Sequence, residues 1–468
     1  MRISVVGLGY VGLVTASSVA EWGNRVIGSD SSEQRVRDVT KGRMPFHEPG
    51  LDALVQRNRD AGRLHFTNDL AAAVEDAELV ITAVGTHDGN GGWQTQTMRT
   101  CLMQMVPAMP DDAVLVIRST LPPDFIAELP SIVLQLRAEV GRPPLPVVLN
   151  PEFTREGSAI GDFQHPDRVV IGAAYDPDGR GSAAVGRLYE HIGAPILTMS
   201  AIDAAMAKLG ANLFLATKIS FANELASLCD EFGATVDPVL GAMAFDPRIG
   251  GSFMRPGVGF GGSCLPNQVR MTVRSVEEAG GSTPLLRAVT EINDHLRLEF
   301  VERLERLFGG TLAGRRVALL GLTFKPNTDD LRDAPSVAIA RLLLDRGALV
   351  VATDPMGTAR ERAAALLPGL AVVESPLDAV AGSNAVCLIT EWPEYADLDW
   401  HAIRKIVAEP IVVDGRNFLS PETLLAEGFT YVASGRGALE QPGHTPLQVS
   451  ADDLEVDLSN LATPGAAR

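Results

Sequence analysis

Six residues near the N-terminus, Gly7-Leu8-Gly9-Tyr10-Val11-Gly12, restrict what this chain can fold into more than any other segment. They follow an aliphatic run, Arg2–Val6, and lead into a stretch with helical spacing, Leu13–Trp22. The first glycine permits a tight turn, the second lets a pyrophosphate approach the backbone, and the third lets helix and strand pack closely. The helix then begins with unpaired N–H groups aimed at the anion. A second aliphatic run, Arg25–Ser29, ends on Asp30, about 20 residues beyond the glycines, where a carboxylate accepts hydrogen bonds from an adenosine ribose. The order strand, glycines, helix, strand, acid predicts a dinucleotide cradle contacted by Gly7, Gly9, Tyr10, Val11, Gly12 and Asp30. Asp30 would repel a 2′-phosphate, and Ser31 and Ser32 follow it, which favours NAD over NADP. Arg35, a turn further on, is the counter-signal, being within reach of a phosphate or of the cofactor ribose.

The runs Leu79–Ala83, Val114–Ser119 and Val147–Leu149 alternate with helical stretches such as Asp52–Ala61, the pattern of a parallel sheet wound with helices. Residues 200–231 carry Ala, Leu and Phe at helical spacing without proline and run up to Gly233, which predicts one long helix. Further helices follow the glycine-rich segment Gly250–Cys264, to about Leu307. A second alternating block starts at Arg315, with strands at Arg316–Leu320, Leu349–Thr353, Ala385–Thr390 and Ile411–Asp414 and a helix at Ser336–Arg346. The expected fold class is α/β. An N-terminal Rossmann-type cofactor domain takes 1–199, a central helical and dimerising region 200–309, and a C-terminal Rossmann-like domain 310–440. Residues 441–468, polar and acidic, read as a disordered tail.

The 468 residues carry a net charge of -18, which argues against a nucleic-acid partner, because phosphate binding needs clustered Lys and Arg. An anionic small molecule remains possible, since one helix N-terminus and a few cations suffice. Cys101, Cys229, Cys264 and Cys387 are scattered, so disulfides and structural zinc are not expected, and a reducing cytoplasm fits. The N-terminal run reads as a buried strand rather than a signal peptide. No run reaches the length of about 20 apolar residues that a membrane helix needs.

Several segments together resemble the UDP-glucose/GDP-mannose dehydrogenase family. They are GLGYVG, AVGT (Ala83–Thr86), RST (Arg118–Thr120), NPEFTREGSA (Asn150–Ala159), KLGANLFLATKISFANE (Lys208–Glu224), GVGFGGSC (Gly257–Cys264), FKPNTDDLRDAPS (Phe324–Ser336) and DGRN (Asp414–Asn417). The resemblance implies an NAD domain, a helical linker and a nucleotide-sugar domain. It also implies oxidation of a sugar C6 alcohol to a carboxylate by two NAD without a metal, through an adduct on a cysteine. A thiolate suits this task because its addition to the aldehyde creates a centre able to lose a second hydride, and the resulting thioester is readily hydrolysed.

On this resemblance Cys264 is the nucleophile, placed after small residues that would let a substrate approach the backbone. Lys208 stabilises the oxyanion, with Asn212 four residues on and on the same helix face. The default for such a lysine is a solvated surface position. Glu152 is the acid/base of the thioester step, and Thr120 holds the water that takes the alcohol proton. Thr86, Thr120, Glu156 and Arg332 lie toward NAD, and Lys325 lies toward the sugar diphosphate. The default for Glu152 and Glu156 is a pair of helix N-terminal carboxylates. Phe153, Arg248, Phe253, Arg255, Gly257, Gly261 and Arg416 complete the substrate contacts, with Arg248 supplied across a homodimer interface. Lys218 points off the Lys208 face and reads as structural or solvent-exposed.

Two departures from the family pattern stand out. The lysine and aspartate that usually follow the nucleophile are Asn267 and Gln268 here, and glutamine cannot accept a proton near neutral pH. The loop after Thr86 reads HDGNGGWQTQTM, where His87 reads as a surface residue. Three outcomes are therefore open: an active enzyme with a rearranged water network, a slow enzyme or one that stalls after the first oxidation or at the thioester, or a homologue that has lost catalysis and kept binding. Separately, UDP-glucose is the expected substrate, with UDP-N-acetylmannosamine and GDP-mannose as alternatives.

Overall fold

The computed structural model describes residues 1–88 and 91–437; the expected tail from 441 lies outside them. Two compact units emerge. One comprises Met1–Leu213 with Arg270–Gly281 and Asn327–Asp329, and the other Phe214–Val269, Ser282–Pro326 and the chain from Asp330 on.

The first unit is built on eight strands: β1 (Arg2–Val6), β2 (Arg25–Ser29), β3 (Leu64–Thr67), β4 (Leu79–Thr82), β5 (Val114–Ile117), β6 (Val147–Leu149), β7 (Val169–Tyr175) and β8 (Ile196–Ser200). Their order is β3-β2-β1-β4-β5-β6-β7-β8. The aliphatic runs are continuous because both faces are covered. Ile3, Val5, Leu79, Ile81, Val114 and Val116 pack into one core, while Val6, Val80, Leu115 and Ile117 pack into the other. Strand order reverses between β1 and β4, and ligands of open α/β sheets bind outside the carboxyl ends at such a point. The loops that leave these two strands are the glycine turn and Ala83–Thr86.

The parallel pattern stops at β6. β7 pairs antiparallel to it, with a register shift at Val147/Val148, and β8 runs parallel to β7. β8 is an edge strand with mostly exposed side chains, and β3 alternates polar and apolar residues, so neither produces the aliphatic run that marks β1, β4 and β5. The first helix spans Tyr10–Glu21, starting three residues before the expected Leu13 because Gly9 itself is the N-cap.

The long helix spans Ala201–Phe232, and the division between the units falls within it. Gly233 closes it at φ 68, and the Ala234 N–H reaches back to the Cys229 carbonyl at 2.8 Å, a left-handed glycine stop.

The second unit holds β9 (Arg316–Leu320), β10 (Leu349–Thr353), β11 (Ala371–Val372), β12 (Ala385–Leu388), β13 (Ile411–Asp414) and β14 (Thr430–Ala433), in the order β11-β10-β9-β12-β13-β14 with every pair parallel. That order repeats the first six strands of the other sheet. Val317, Leu319 and Cys387 face one core, and Ala318, Leu320 and Val386 face the other. No described helix is long and apolar enough to cross a membrane.

Candidate active site

The dinucleotide turn is set by steric need at two glycines. Gly7 has φ 95, and a Cβ there would lie 2.7 Å from the Ala83 carbonyl oxygen. A Cβ on Gly12 would collide with the Gly7 carbonyl oxygen. Gly9, by contrast, faces open space, with nothing within 4 Å of where a Cβ would sit. No side chain caps the helix at Gly9, so the first-turn N–H groups are left for an anion. Asp30 closes β2, and its carboxylate accepts from Leu8 N at 2.8 Å and Ser32 N at 2.9 Å. These features fit a dinucleotide: room over the second glycine and a carboxylate at the ribose position. Arg35, the counter-signal, donates to Asp30 at 2.9 Å, so its charge is already engaged by a carboxylate. Val11 is half-buried. Thr86 ties the ends of β4 and β5 by donating its hydroxyl to the Thr120 carbonyl at 2.5 Å.

The second unit has the same layout but a different chemistry at the matching acid. Asp354 follows β10 and accepts from Leu322 N at 2.7 Å, as Asp30 accepts from Leu8. It also accepts from Thr323 N, Met356 N and the Trp392 indole, and is 1% exposed. Burial pushes its carboxyl up despite these donors. The matching acid of the second unit is thus committed to its own chain.

In the first unit the segment Pro151–Ser158 is irregular, and helix begins only at Ala159. Glu152 and Glu156 are therefore loop carboxylates, not members of a helix N-terminus. Asn150 anchors the start of the loop: Arg118 Nη1 donates to its Oδ1 at 2.8 Å, the Tyr189 hydroxyl donates to the same oxygen at 2.9 Å, and Asn150 donates to the Val170 carbonyl. Glu152 is buried, and its Oε1 pairs with Lys208 Nζ at 2.9 Å. Its Oε2 accepts from both the amide and the hydroxyl of Thr154 at 2.7 Å. Burial would raise this carboxyl, but the Lys208 charge and the Thr154 donors outweigh it and hold the pKa below the usual carboxylate value. Lys208 is not the solvated surface residue expected by default; it is 3% exposed. Asn212, one turn along the same helix, is half-buried. Phe153 lies under the Arg168 guanidinium, 3.8 Å from ring centre, with Lys208 5.3 Å away.

In the second unit the segment 257–264 is held by its own neighbours. Gly257 N donates to Asn223 Oδ1 and Val258 N to the Gly415 carbonyl, both at 2.8 Å. Asn293 Oδ1 accepts from Phe260 N at 2.8 Å. Gly262, at φ 86, donates to the Arg332 carbonyl at 3.0 Å. A Cβ on Gly261 would lie 2.5 Å from the Asp333 carbonyl oxygen, and one on Gly262 would lie 2.7 Å from the Phe324 ring. The close approach that these glycines permit is thus to the chain's own 324–335 loop.

Cys264 follows this turn and immediately precedes the helix Leu265–Glu278. It is the exposed cysteine of the four; Cys229 and Cys387 are buried and Cys101 half-buried, and burial raises the pKa of all three. Asn267 is buried and donates to the Ser263 carbonyl at 2.9 Å, bracing the turn that carries Cys264. Gln268 is also buried, so the two departures from the family pattern place uncharged amides inside the protein.

Arg416 is a brace. Its guanidinium donates to the carbonyls of Ile389 (2.7 Å), Gly259 (2.8 Å) and Phe324 (3.2 Å), and meets Glu391 at 3.2 Å. Arg332 is exposed and pairs with Asp330 at 2.7 Å, and Lys325 Nζ lies 5.4 Å from the Phe324 ring centre. Arg248 is highly exposed and pairs with its near neighbour Asp246; Arg255 is exposed as well. Phe253 has φ 63, a left-handed conformation that is strained for a bulky residue. Lys218 donates to the Ile249 and Gly250 carbonyls, a structural role. His87 is half-buried and bridges by backbone to Trp93, whose indole donates to Ser275 Oγ at 3.0 Å.

Sequence reading missed Glu48, Asn223 and Asn293. Each works through a backbone amide of a remote loop, a relation that leaves no spacing signal.

Three domain profiles of one family match in order. The UDP-glucose/GDP-mannose dehydrogenase NAD binding domain covers residues 1–193, the central domain 203–295 and the UDP binding domain 318–421. The UDP-glucose 6-dehydrogenase of Pseudomonas aeruginosa is 40% identical over 442 residues, covering 93% of this chain and 98% of its own. That of Rhizobium meliloti is 36% identical, covering 93% and 100%. A solved UDP-glucose dehydrogenase from the archaeon Pyrobaculum islandicum superposes with a TM-score of 0.84 at 36% identity, covering 93% of this chain and 98% of its own. The dinucleotide cradle of the first unit is therefore an NAD site, and the chain belongs to the UDP-glucose/GDP-mannose dehydrogenase family.

Proposed function

We propose that this chain oxidises UDP-glucose to UDP-glucuronate in two steps, using Cys264 as a covalent anchor. The relatives at 36–40% identity carry the name UDP-glucose 6-dehydrogenase, which favours that substrate over other nucleotide sugars. The observation that carries the chemistry is the exposed Cys264 thiol, alone among four cysteines, on a braced glycine turn at a helix start.

Bound NAD supplies the hydride acceptor. Lys208 stabilises negative charge on the C6 oxygen, Asn212 orients that oxygen, and Thr120 holds the water that takes the alcohol proton. Cys264 thiolate adds to the C6 aldehyde, forming the C–S bond while the carbonyl oxygen takes the electron pair. Departure of the second hydride from that oxyanion, which a second NAD would accept, leaves a thioester. Glu152, held ionised by Lys208, takes a proton from the attacking water; the C–S bond breaks, and Cys264 departs as thiolate. Phe253, Arg255 and Gly257 line the substrate in this reading, with Lys325 toward its diphosphate and Arg416 shaping the loops around it. In this reading Glu156 and Arg332 serve the nicotinamide cofactor.

We further assign the chain to the cytoplasm as a homodimer. Phe214, Phe221 and Leu228 recur every seven residues on the long helix and are exposed, as is Phe232, an apolar stripe suited to a second copy. Arg248, exposed beyond that helix, is the residue offered to the partner's substrate.

Counting NADH formed per UDP-glucose consumed tests the function. Two NADH are expected. One would mean a stall at the aldehyde level, and tight binding of UDP-glucose without any NADH would replace the enzyme by a binding homologue, the reading that buried Asn267 and Gln268 favour.

A further inference from the structure

Glu48 lies far in sequence from every residue assigned to catalysis, yet its buried carboxylate joins two parts of the first unit. The side chain belongs to a residue only 4% exposed. Oε2 accepts from Gly157 N at 2.6 Å and from the Tyr10 hydroxyl, and Oε1 accepts from Ala159 N at 2.7 Å. Tyr10 is the fourth residue of the glycine turn that cradles NAD. Gly157 and Ala159 end the loop that carries Glu152 and Glu156. We infer that Glu48 is a positioning residue, fixing the carboxylate loop to the dinucleotide turn.

The geometry leaves this loop little freedom. Its start is fixed by Asn150 under Arg118 and Tyr189, and its end by Glu48. Gly157 takes φ 81, and a Cβ there would lie 3.0 Å from Asn327, so the turn cannot shift toward that side. Tyr10 is itself held, its ring 4.8 Å from that of Phe46, two residues before Glu48. His47, next to Glu48, donates its amide to Asp329 at 3.0 Å. Glu152 hangs between the two anchors. Releasing one of them moves its carboxylate relative to Lys208, and a displacement of about 1 Å in a catalytic group costs on the order of a hundredfold in rate.

A carboxylate is specifically required. Three donors converge on two oxygens, and two of the donors are backbone N–H groups that cannot reverse. A glutamine would turn one acceptor into an NH2 donor facing an N–H. Glu48→Gln therefore frees one end of the contact whichever way the amide is turned. Glu48→Asp keeps both acceptors but shortens their reach.

This inference rests on the proposed role of Glu152 in thioester hydrolysis, and its test separates the two. The full-length protein and its Glu48→Gln, Glu48→Asp and Glu152→Gln variants are mixed with saturating NAD and UDP-glucose. NADH release is followed from the first turnover, and the quenched enzyme is weighed intact to detect a sugar-nucleotide adduct on Cys264. The parent should release NADH linearly. Glu48→Gln should give a burst approaching two NADH per site, then a steady rate at least about tenfold lower, with the adduct accumulating. Glu48→Asp should change in the same direction by less, and it carries the test if Glu48→Gln does not fold. If the Glu48 variants slow every phase in proportion and trap no adduct while Glu152→Gln traps it, Glu48 is merely structural and the inference is overturned. If Glu152→Gln traps nothing in an otherwise active enzyme, the role of Glu152 fails and takes the inference with it.

Discussion

Lys208 Nζ and Glu152 Oε1 meet at 2.9 Å with both side chains almost entirely shielded from water. Such a pair is held by mutual need. Removing one partner from a buried ion pair strands the other, at a cost of about 3–5 kcal/mol. The pKa of Glu152 is depressed in the folded protein, so the stabilisation is present above the unfolded carboxylate pKa and is lost as pH falls through the lower folded value. Lys208→Met removes the charge that overcomes burial. The Glu152 carboxyl should then rise toward neutrality, and the acidic limb of the pH–rate profile for thioester breakdown should move up with it. A limb that stays in place would show that Lys208 does not set the ionisation of Glu152.

The Asp30–Arg35 pair predicts how cofactor choice changes. Arg35 is half-exposed and tied to Asp30 at 2.9 Å. In Asp30→Ser the carboxylate that repels a 2′-phosphate is gone, and the guanidinium is released to meet one. A charge-assisted hydrogen bond contributes about 1.5–3 kcal/mol, which corresponds to roughly a ten- to hundredfold rise in the ratio of kcat/KM for NADP to that for NAD. Activity with NAD should fall as well, because Leu8 N, inside the glycine turn, loses its acceptor. Steady-state kinetics with both cofactors measures the ratio; if it is unchanged, the selectivity lies elsewhere than in this pair.

What could be read from the sequence follows the range of the physics involved. Strands buried on both faces write themselves as aliphatic runs, so β1, β2, β6, β9, β10 and β13 fall where the runs do. β8 is exposed and β11 has two residues, and neither leaves such a run. Glycines reveal a turn but not its occupant: Gly9 faces open space, whereas Gly261 and Gly262 are filled by Asp333 and Phe324 from another segment. The burial of Lys208 and Glu152 is a tertiary fact, since a lone lysine on a helix reads as a surface residue until its partner is seen. Glu48 is one of 58 acidic residues, and only the amides it meets more than a hundred positions away distinguish it.

Gln268 should limit the rate. Its side chain is buried in the helix that starts after Cys264, and its amide can orient a water but take no proton. Gln268→Asp places a carboxylate in a site that disfavours its charged form, which raises its pKa toward the range useful to a base. The turnover number should increase, while the thermal midpoint should fall because the carboxylate is buried and residue 267, an asparagine, brings no positive charge to offset it. Adding Asn267→Lys supplies that charge but gives up the bond to the Ser263 carbonyl, so part of the stability should return. Measuring kcat and melting temperature for the parent, single and double variants checks both arms. No gain in kcat in either variant would mean that the missing carboxylate is not what limits turnover.

Arg416 gathers the carbonyls of Gly259, Phe324 and Ile389, three separate segments of the second unit, on one planar guanidinium. Lysine has a single nitrogen and cannot span them. Arg416→Lys should therefore give up at least two of these bonds, each worth about 0.5–1.5 kcal/mol, and lower the melting temperature accordingly. The loops it releases include 257–262, which in the proposed function line the nucleotide sugar, whereas the NAD cradle is formed within the first unit. KM for UDP-glucose should thus rise several-fold with KM for NAD nearly unchanged. Glu391, which meets the same guanidinium at 3.2 Å, provides the control: Glu391→Gln leaves the three carbonyl bonds in place and should have the smaller effect on both. Equal increases in the two KM values for Arg416→Lys would instead indicate general loosening of the protein, and the brace would not be specific to the sugar-nucleotide loops.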